Sequence, residues 1–145
     1  MKVSRYKFYG DNGVLFAVVD ASLSIRLDLV GCDLSEGAGR EILNAFEETE
    51  DSKVATLIFW GCSLGDAGVL VSALASSIGR STSLKRVSFP GCNINNDLMW
   101  ELIPAIGALN HLVDLGLTDN HIGRAGCDAI AMLLQDPNCS ILNIN

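Results

Sequence analysis

Residues 27–34 read LDLVGCDL, residues 57–64 LIFWGCSL and residues 87–94 VSFPGCNI, and residues 115–122 return to the same pattern as LGLTDNHI. The pairs Gly31-Cys32, Gly61-Cys62 and Gly91-Cys92 mark the phase, and the fourth copy carries Asn120 where the cysteines stand. The repeat can be written L-x-x-L-x-L-x-x-(C/N)-x-L, with ninth positions at 32, 62, 92 and 120, spaced by 30, 30 and 28 residues. Copy one has Ser24, Leu27, Leu29, Cys32 and Leu34. Copy two has Val54, Leu57, Phe59, Cys62 and Leu64, and copy three Leu84, Val87, Phe89, Cys92 and Ile94. Copy four has Leu112, Leu115, Leu117, Asn120 and Ile122, and a fifth begins with Ile141 and Ile144. Self-similarity at a fixed period of this length is the signature of stacked structural repeats.

Within each copy the hydrophobic period changes. Alternation at the fourth and sixth frame positions predicts a short strand with one buried face. The stretch that follows has helical spacing: Ile42, Leu43 and Phe46, then Leu70, Val71, Leu74 and Ile78. Copies three and four continue it with Leu102, Ile103, Ile106 and Leu109, and with Ile130, Leu133 and Leu134. Each unit is therefore a strand, a turn and a helix, and the fold class is α/β. Neither element buries its apolar side alone, so successive units are expected to share one continuous core. Pro104 falls inside the third helical pattern and is expected to bend or shorten it.

The frame resembles the leucine-rich repeat family, in its long ribonuclease-inhibitor-like class. The likeness covers residues 24–145 and is strongest in LGLTDNHIGRAG (115–126) and the AIAMLL helix behind it. It implies a solenoid in the form of a right-handed horseshoe, with a parallel sheet on the concave face and helices on the convex face. Two departures stand out: Ser24 opens copy one, and Leu98 replaces in copy three the glycine found at Gly126.

Residues 1–23 lie outside the frame. There KVSRYKFY and VLFAVVD flank Asp11-Asn12-Gly13, a hairpin-turn signal, and the segment is expected to be a β-hairpin cap on the first repeat. At the other end the frame breaks off partway along a strand. The expectation is a piece of a longer repeat protein, or a partner subunit that covers the edge, with self-association through that C-terminal edge a further possibility.

Composition narrows the function classes. The 145 residues carry a formal charge of −7, which argues against a nucleic-acid partner. No apolar run is long enough to span a membrane, and the N-terminus lacks the apolar stretch of a signal peptide. Five cysteines, an odd number, fit a reducing compartment better than a disulfide framework, so a cytoplasmic location is expected. The acidic run at 47–51 is read as a solvated loop.

Chemistry is read mostly as absent. Cys32, Cys62 and Cys92 form a column at strand spacing, without the paired C-x-x-C loops or histidines that a zinc site would use. No metal or other cofactor is expected, and the thiols are read as buried structural groups. Gly61-Cys62-Ser63-Leu64-Gly65 matches a nucleophile elbow, yet Asp33, Asn93 and His121 stand in phase with Ser63 and no triad is in view. Cys127, six residues after His121, is read as a small residue packed behind the strand. Asn138-Cys139-Ser140 is a glycosylation sequon, relevant only in a secreted protein. Arg26 and Arg86 are expected on strands beside acids such as Asp28, in surface ion pairs and not as arginine fingers.

The row facing away from the core is the candidate site. Alternation turns outward Arg26, Asp28 and Val30, then Thr56, Ile58 and Trp60, then Arg86, Ser88 and Pro90, then Asp114, Gly116 and Thr118. The seventh frame position lines up Val30, Trp60, Pro90 and Thr118. An exposed tryptophan among apolar neighbours, rimmed by Arg and Asp, has the make-up of a protein-binding hot spot. The expected function is a non-enzymatic interaction scaffold that binds another protein on this face. The alternatives are a small-GTPase regulator, by likeness to the Ran-activating members of the repeat class, and a structural segment of a larger assembly.

Overall fold

A computed structural model describes residues 4–10, 13–19, 24–35, 53–64 and 82–145, with the single helical positions Glu41 and Leu70. The first two predicted helices, apart from Leu70, and the acidic run at 47–51 lie outside the described residues.

Seven strands form one sheet in chain order: β1 (Ser4–Gly10), β2 (Gly13–Val19), β3 (Ile25–Val30), β4 (Val54–Trp60), β5 (Arg86–Ser88), β6 (Asp114–Gly116) and β7 (Asn143–Ile144). The first two are an antiparallel hairpin closing at Gly10 and Gly13, and β2 runs antiparallel to β3. From β3 to β7 every pairing is parallel. The hairpin thus lies in the sheet beside β3, where it satisfies that strand's outer edge, and not across its face.

Register preserves the repeat phase. Leu27, Leu57, Val87, Leu115 and Ile144 stand side by side, as do Arg26, Thr56, Arg86, Asp114 and Asn143. Because side chains alternate, a register held to the residue keeps one face apolar across all five strands. Leu29, Leu57, Phe59, Val87 and Phe89 are fully buried, and the Phe59 and Phe89 rings stack at 5.1 Å with their planes 5° apart. Burying each such side chain stabilises the fold by about 2–3 kcal/mol. Ile144 occupies the same phase, yet is 37% exposed, and Leu142 beside it is 80% exposed.

Strands β3 to β6 are each followed, at the eighth frame position, by a left-handed residue. Gly31, Gly61 and Gly91 have φ of 63°, 55° and 65°, and Asp119 has 56° at the same frame position. The turn sends the ninth side chain back under the preceding strand, where it donates to one of that strand's carbonyls. Cys62 Sγ donates to the Leu29 carbonyl at 3.4 Å and Cys92 Sγ to Phe59 at 2.9 Å. Asn120 Nδ2 does the same to Phe89 at 2.7 Å, while its Oδ1 accepts from the Ile94 N–H. Burial pushes the Cys62 thiol up to about 12 and the Cys92 thiol up to about 11.

Two helices back the later strands: α1 (Asn96–Gly107) and α2 (Arg124–Gln135). The first buries Met99, Leu102, Ala105 and Ile106, and Leu109 just beyond it is buried as its pattern requires. Pro104 does not shorten α1, which runs twelve residues like α2. In the second, the inward stripe is Gly126, Ala129 and Leu133. Leu134, expected inside, is 49% exposed because it lies about 100° round the helix from Leu133. Cys127 is exposed as well, outside that stripe and not packed behind the strand. No helix among the described residues is long and apolar enough to cross a membrane.

Candidate partner-binding face

The sheet's second face, opposite the core, is where the predicted site residues gather. β3 and β4 present Arg26, Asp28 and Val30 against Thr56, Ile58 and Trp60 in register. β5 and β6 continue with Arg86 and Ser88 against Asp114 and Gly116. The seventh positions are joined through their carbonyls: Gly31 N donates to Trp60 O, Gly61 N to Pro90 O, and Gly91 N to Thr118 O. Trp60 is 46% exposed and Val30 36%, while Phe59 next to Trp60 is fully buried on the other face.

Four residues expected in the exposed row are covered: Ser88, 7% exposed, and Gly116 are buried, and so are the two apolar ones. Ile58 is only 4% exposed and Pro90 is buried. Neighbouring strands lie about 4.8 Å apart, so a central side chain is shaded by its neighbours. Ile58 has Asp28 and Ser88 on either side and Trp60 two residues on. Ile58, Ser88 and Pro90 therefore act as floor and Trp60 as wall. Together with Arg86, Thr118, Asp119 and Asn145 they enclose an open hollow of about 300 Å³.

Gly116, next to Ser88 on β6, has no room for a side chain: a Cβ there would overlap Ser88 Oγ, lie 2.7 Å from Ser88 Cβ and 3.2 Å from Asn145 Oδ1.

The charges on this face differ in their engagement. Arg26 meets Asp28 through two hydrogen bonds, Nε to Oδ1 at 2.8 Å and Nη2 to Oδ2 at 2.9 Å, as the sequence led one to expect. The Asp28 hydrogen bond and charge raise the Arg26 guanidinium further above its already high value. Asp114 Oδ1 accepts from Asn143 Nδ2 at 2.7 Å. Arg86 and Asp119 have no such partner among the described residues, so the ion pair expected for Arg86 is not formed with them.

Asp119 and Asn145 were not foreseen. Asp119 holds the eighth frame position, glycine in the other three copies, so its left-handed backbone was legible while its place on the rim was not. Asn145 is the fifth position of the fifth copy, in phase with Asp28, Ile58, Ser88 and Gly116.

Comparison of the chain with family models, with curated proteins and with solved structures finds no match.

Elsewhere the chemistry is sparse. Among the described residues no group of three His, Cys, Asp or Glu side chains is placed to hold a metal ion. The Asp33 carboxylate is held by the Ser35 hydroxyl at 2.6 Å and its N–H at 2.9 Å, which lower its proton affinity in that order. That is local turn geometry, and the elbow-like Ser63 beside it is joined to Asp33 only by a backbone bridge.

Proposed function

We propose that residues 24–145 form a leucine-rich-repeat solenoid and that the chain is a protein-interaction module, its partner seated on the concave face around Trp60. The solenoid part is supported by parallel strands in chain order, the left-handed turn at each eighth position and the donor at each ninth. The binding part is carried by one observation: a tryptophan 46% exposed beside an open hollow floored by Ile58, Ser88 and Pro90. Large aromatics left half in water at the centre of a concave patch are typical binding anchors.

The GTPase-regulator reading has less behind it. Arg26 is tied at two nitrogens to Asp28, and Arg86 sits at the start of a strand, so neither is mounted on a protruding loop.

The test uses a partner isolated with the full chain as bait and then titrated in purified form. Trp60→Ala is expected to weaken binding by about 2 kcal/mol or more, roughly thirtyfold in Kd. Trp100→Ala, which removes an equally exposed tryptophan from α1, should leave Kd unchanged. Equal affinity for wild type and Trp60→Ala would show the partner sits elsewhere.

A further inference from the structure

We infer that the partner lays an amphipathic α-helix of about 16 residues across the strands, its apolar stripe on the seventh-position row, and that this seat continues from the repeats onto the hairpin. This rests on the reading of the open face as a partner-binding site and specifies its occupant.

Register carries the row beyond Val30. Val14 on β2 pairs with Val30, and Tyr9 on β1 pairs with Val14. In the other direction Val30 pairs with Trp60. The Gly61 and Gly91 N–H groups then reach Pro90 O and Thr118 O just as the Gly31 N–H reaches Trp60 O. The row therefore runs Tyr9, Val14, Val30, Trp60, Pro90, Thr118 over six adjacent strands and holds no charged residue. Two further rows share its parity. Arg5 and Arg26 fall in one with Arg86 and Asp114, and Lys7 and Asp28 fall in the other. An uncharged strip bordered by charged rows is thus laid out across the strands, not along them. On its other side stand Gly31, Gly61 and Gly91, without side chains, and Asp119.

Spacing selects the occupant. Six strands at about 4.8 Å make the row about 24 Å long. A helix lying across them shows one side chain per turn, about every 5.4 Å, and drifts by about 0.6 Å per strand. An extended segment shows one every two residues, about 6.7 Å, and drifts by about 1.9 Å, so it loses step by the third strand. A helix keeps apolar positions i, i+4, i+7, i+11 and i+14 on the row. The row is also uneven: Trp60 and Thr118 are exposed, and Pro90 between them is buried. That dip belongs to the hollow over Ile58 and Ser88, and it seats one large apolar side chain of the helix.

The experiment selects random peptides of about 18 residues, displayed on phage, against the full chain and its variants. Wild type should enrich apolar residues spaced by three and four, and the best synthetic peptide should gain helical circular dichroism on binding. Val14→Asp and Thr118→Asp, which place a carboxylate in the row on the hairpin and on the last repeat, should each raise Kd about tenfold or more. Thr118 is exposed, so loss of binding there does not report misfolding. Val18→Asp, on the same strand as Val14 but level with Arg26, should leave Kd within about twofold. Peptides that need Trp60 but carry apolar residues at every second position would rule out the helix and leave the open-face reading standing. Helical peptides indifferent to Val14→Asp, or equally weakened by Val18→Asp, would remove the hairpin from the seat. Enrichment that Trp60→Ala leaves intact, or none on wild type, would overturn the open-face reading itself.

Discussion

The ninth frame position shows how one site serves two chemistries of side chain. A thiol at Cys62 or Cys92 and an amide at Asn120 all donate to a carbonyl of the preceding strand, 33, 33 and 31 residues upstream. The amide adds an acceptor for Ile94 N–H, whereas a thiol is a weaker donor in a drier place. Since the thiolate is the reactive form, the raised Cys62 and Cys92 groups should resist maleimide at pH 8 while exposed Cys127 labels rapidly, read by mass spectrometry after digestion. Rapid labelling of the buried pair in the native state would refute this assignment. The linkage sign follows from the upward shift. The folded chain keeps protons that the unfolded chain releases above about 8.5. Their stabilisation is full below that pH and is lost as pH climbs through about 11 and about 12. The urea midpoint should therefore fall between pH 9 and 11, and fall less in Cys62→Ala.

At the scale of elements, the repeats are joined by a cap supplied across copies. Helix α2 begins after Gly123, which has no side chain to cap it. Asn96, in the first turn of α1, supplies the acceptor instead: its Oδ1 takes the N–H groups of Gly123 and Gly126, each at 2.9 Å. Asn95 caps α1 itself through the Leu98 N–H. Gly126 is bare because a Cβ would lie 2.6 Å from Ile122 Cγ2 and 3.0 Å from Asn96 Oδ1. Asn96→Ala should cost about 1–2 kcal/mol in urea unfolding, and Asn96→Asp, which keeps the acceptor, less than about 0.5 kcal/mol. Equal losses for the two would show that the cap does not matter. The frame located Gly126 in advance; the Asn96 contact spans 27 and 30 residues and has no local signature.

Over the whole molecule, adjacent residues on β4 have opposite tasks. Phe59 is fully buried and stacked on Phe89, whereas Trp60 stands half in water on the other face. Phe59→Ala should lower unfolding free energy by about 3–5 kcal/mol, as expected of a large side chain removed from a core. Trp60→Ala should change it by less than about 1 kcal/mol. Calorimetry of the two variants checks both, and a large loss for Trp60→Ala would move that residue from the open face into the core.

The strand phase, the apolar face and the turn positions could be read from the chain, because a residue every second position and a repeat of fixed length are local properties. Leu27, Leu57, Val87 and Leu115 needed nothing but spacing to be placed in the core. The depth of the open face was a different matter. Whether Ile58 and Pro90 stand out or lie in a floor depends on the neighbours that flank them on adjacent strands, and those are some thirty residues away in the chain. The same holds for the idle charges: Arg86 and Arg26 occupy equivalent frame positions, yet only Arg26 has a carboxylate two residues on along its own strand. Periodicity assigns a side chain to a face, while exposure and pairing are settled by what packing brings beside it.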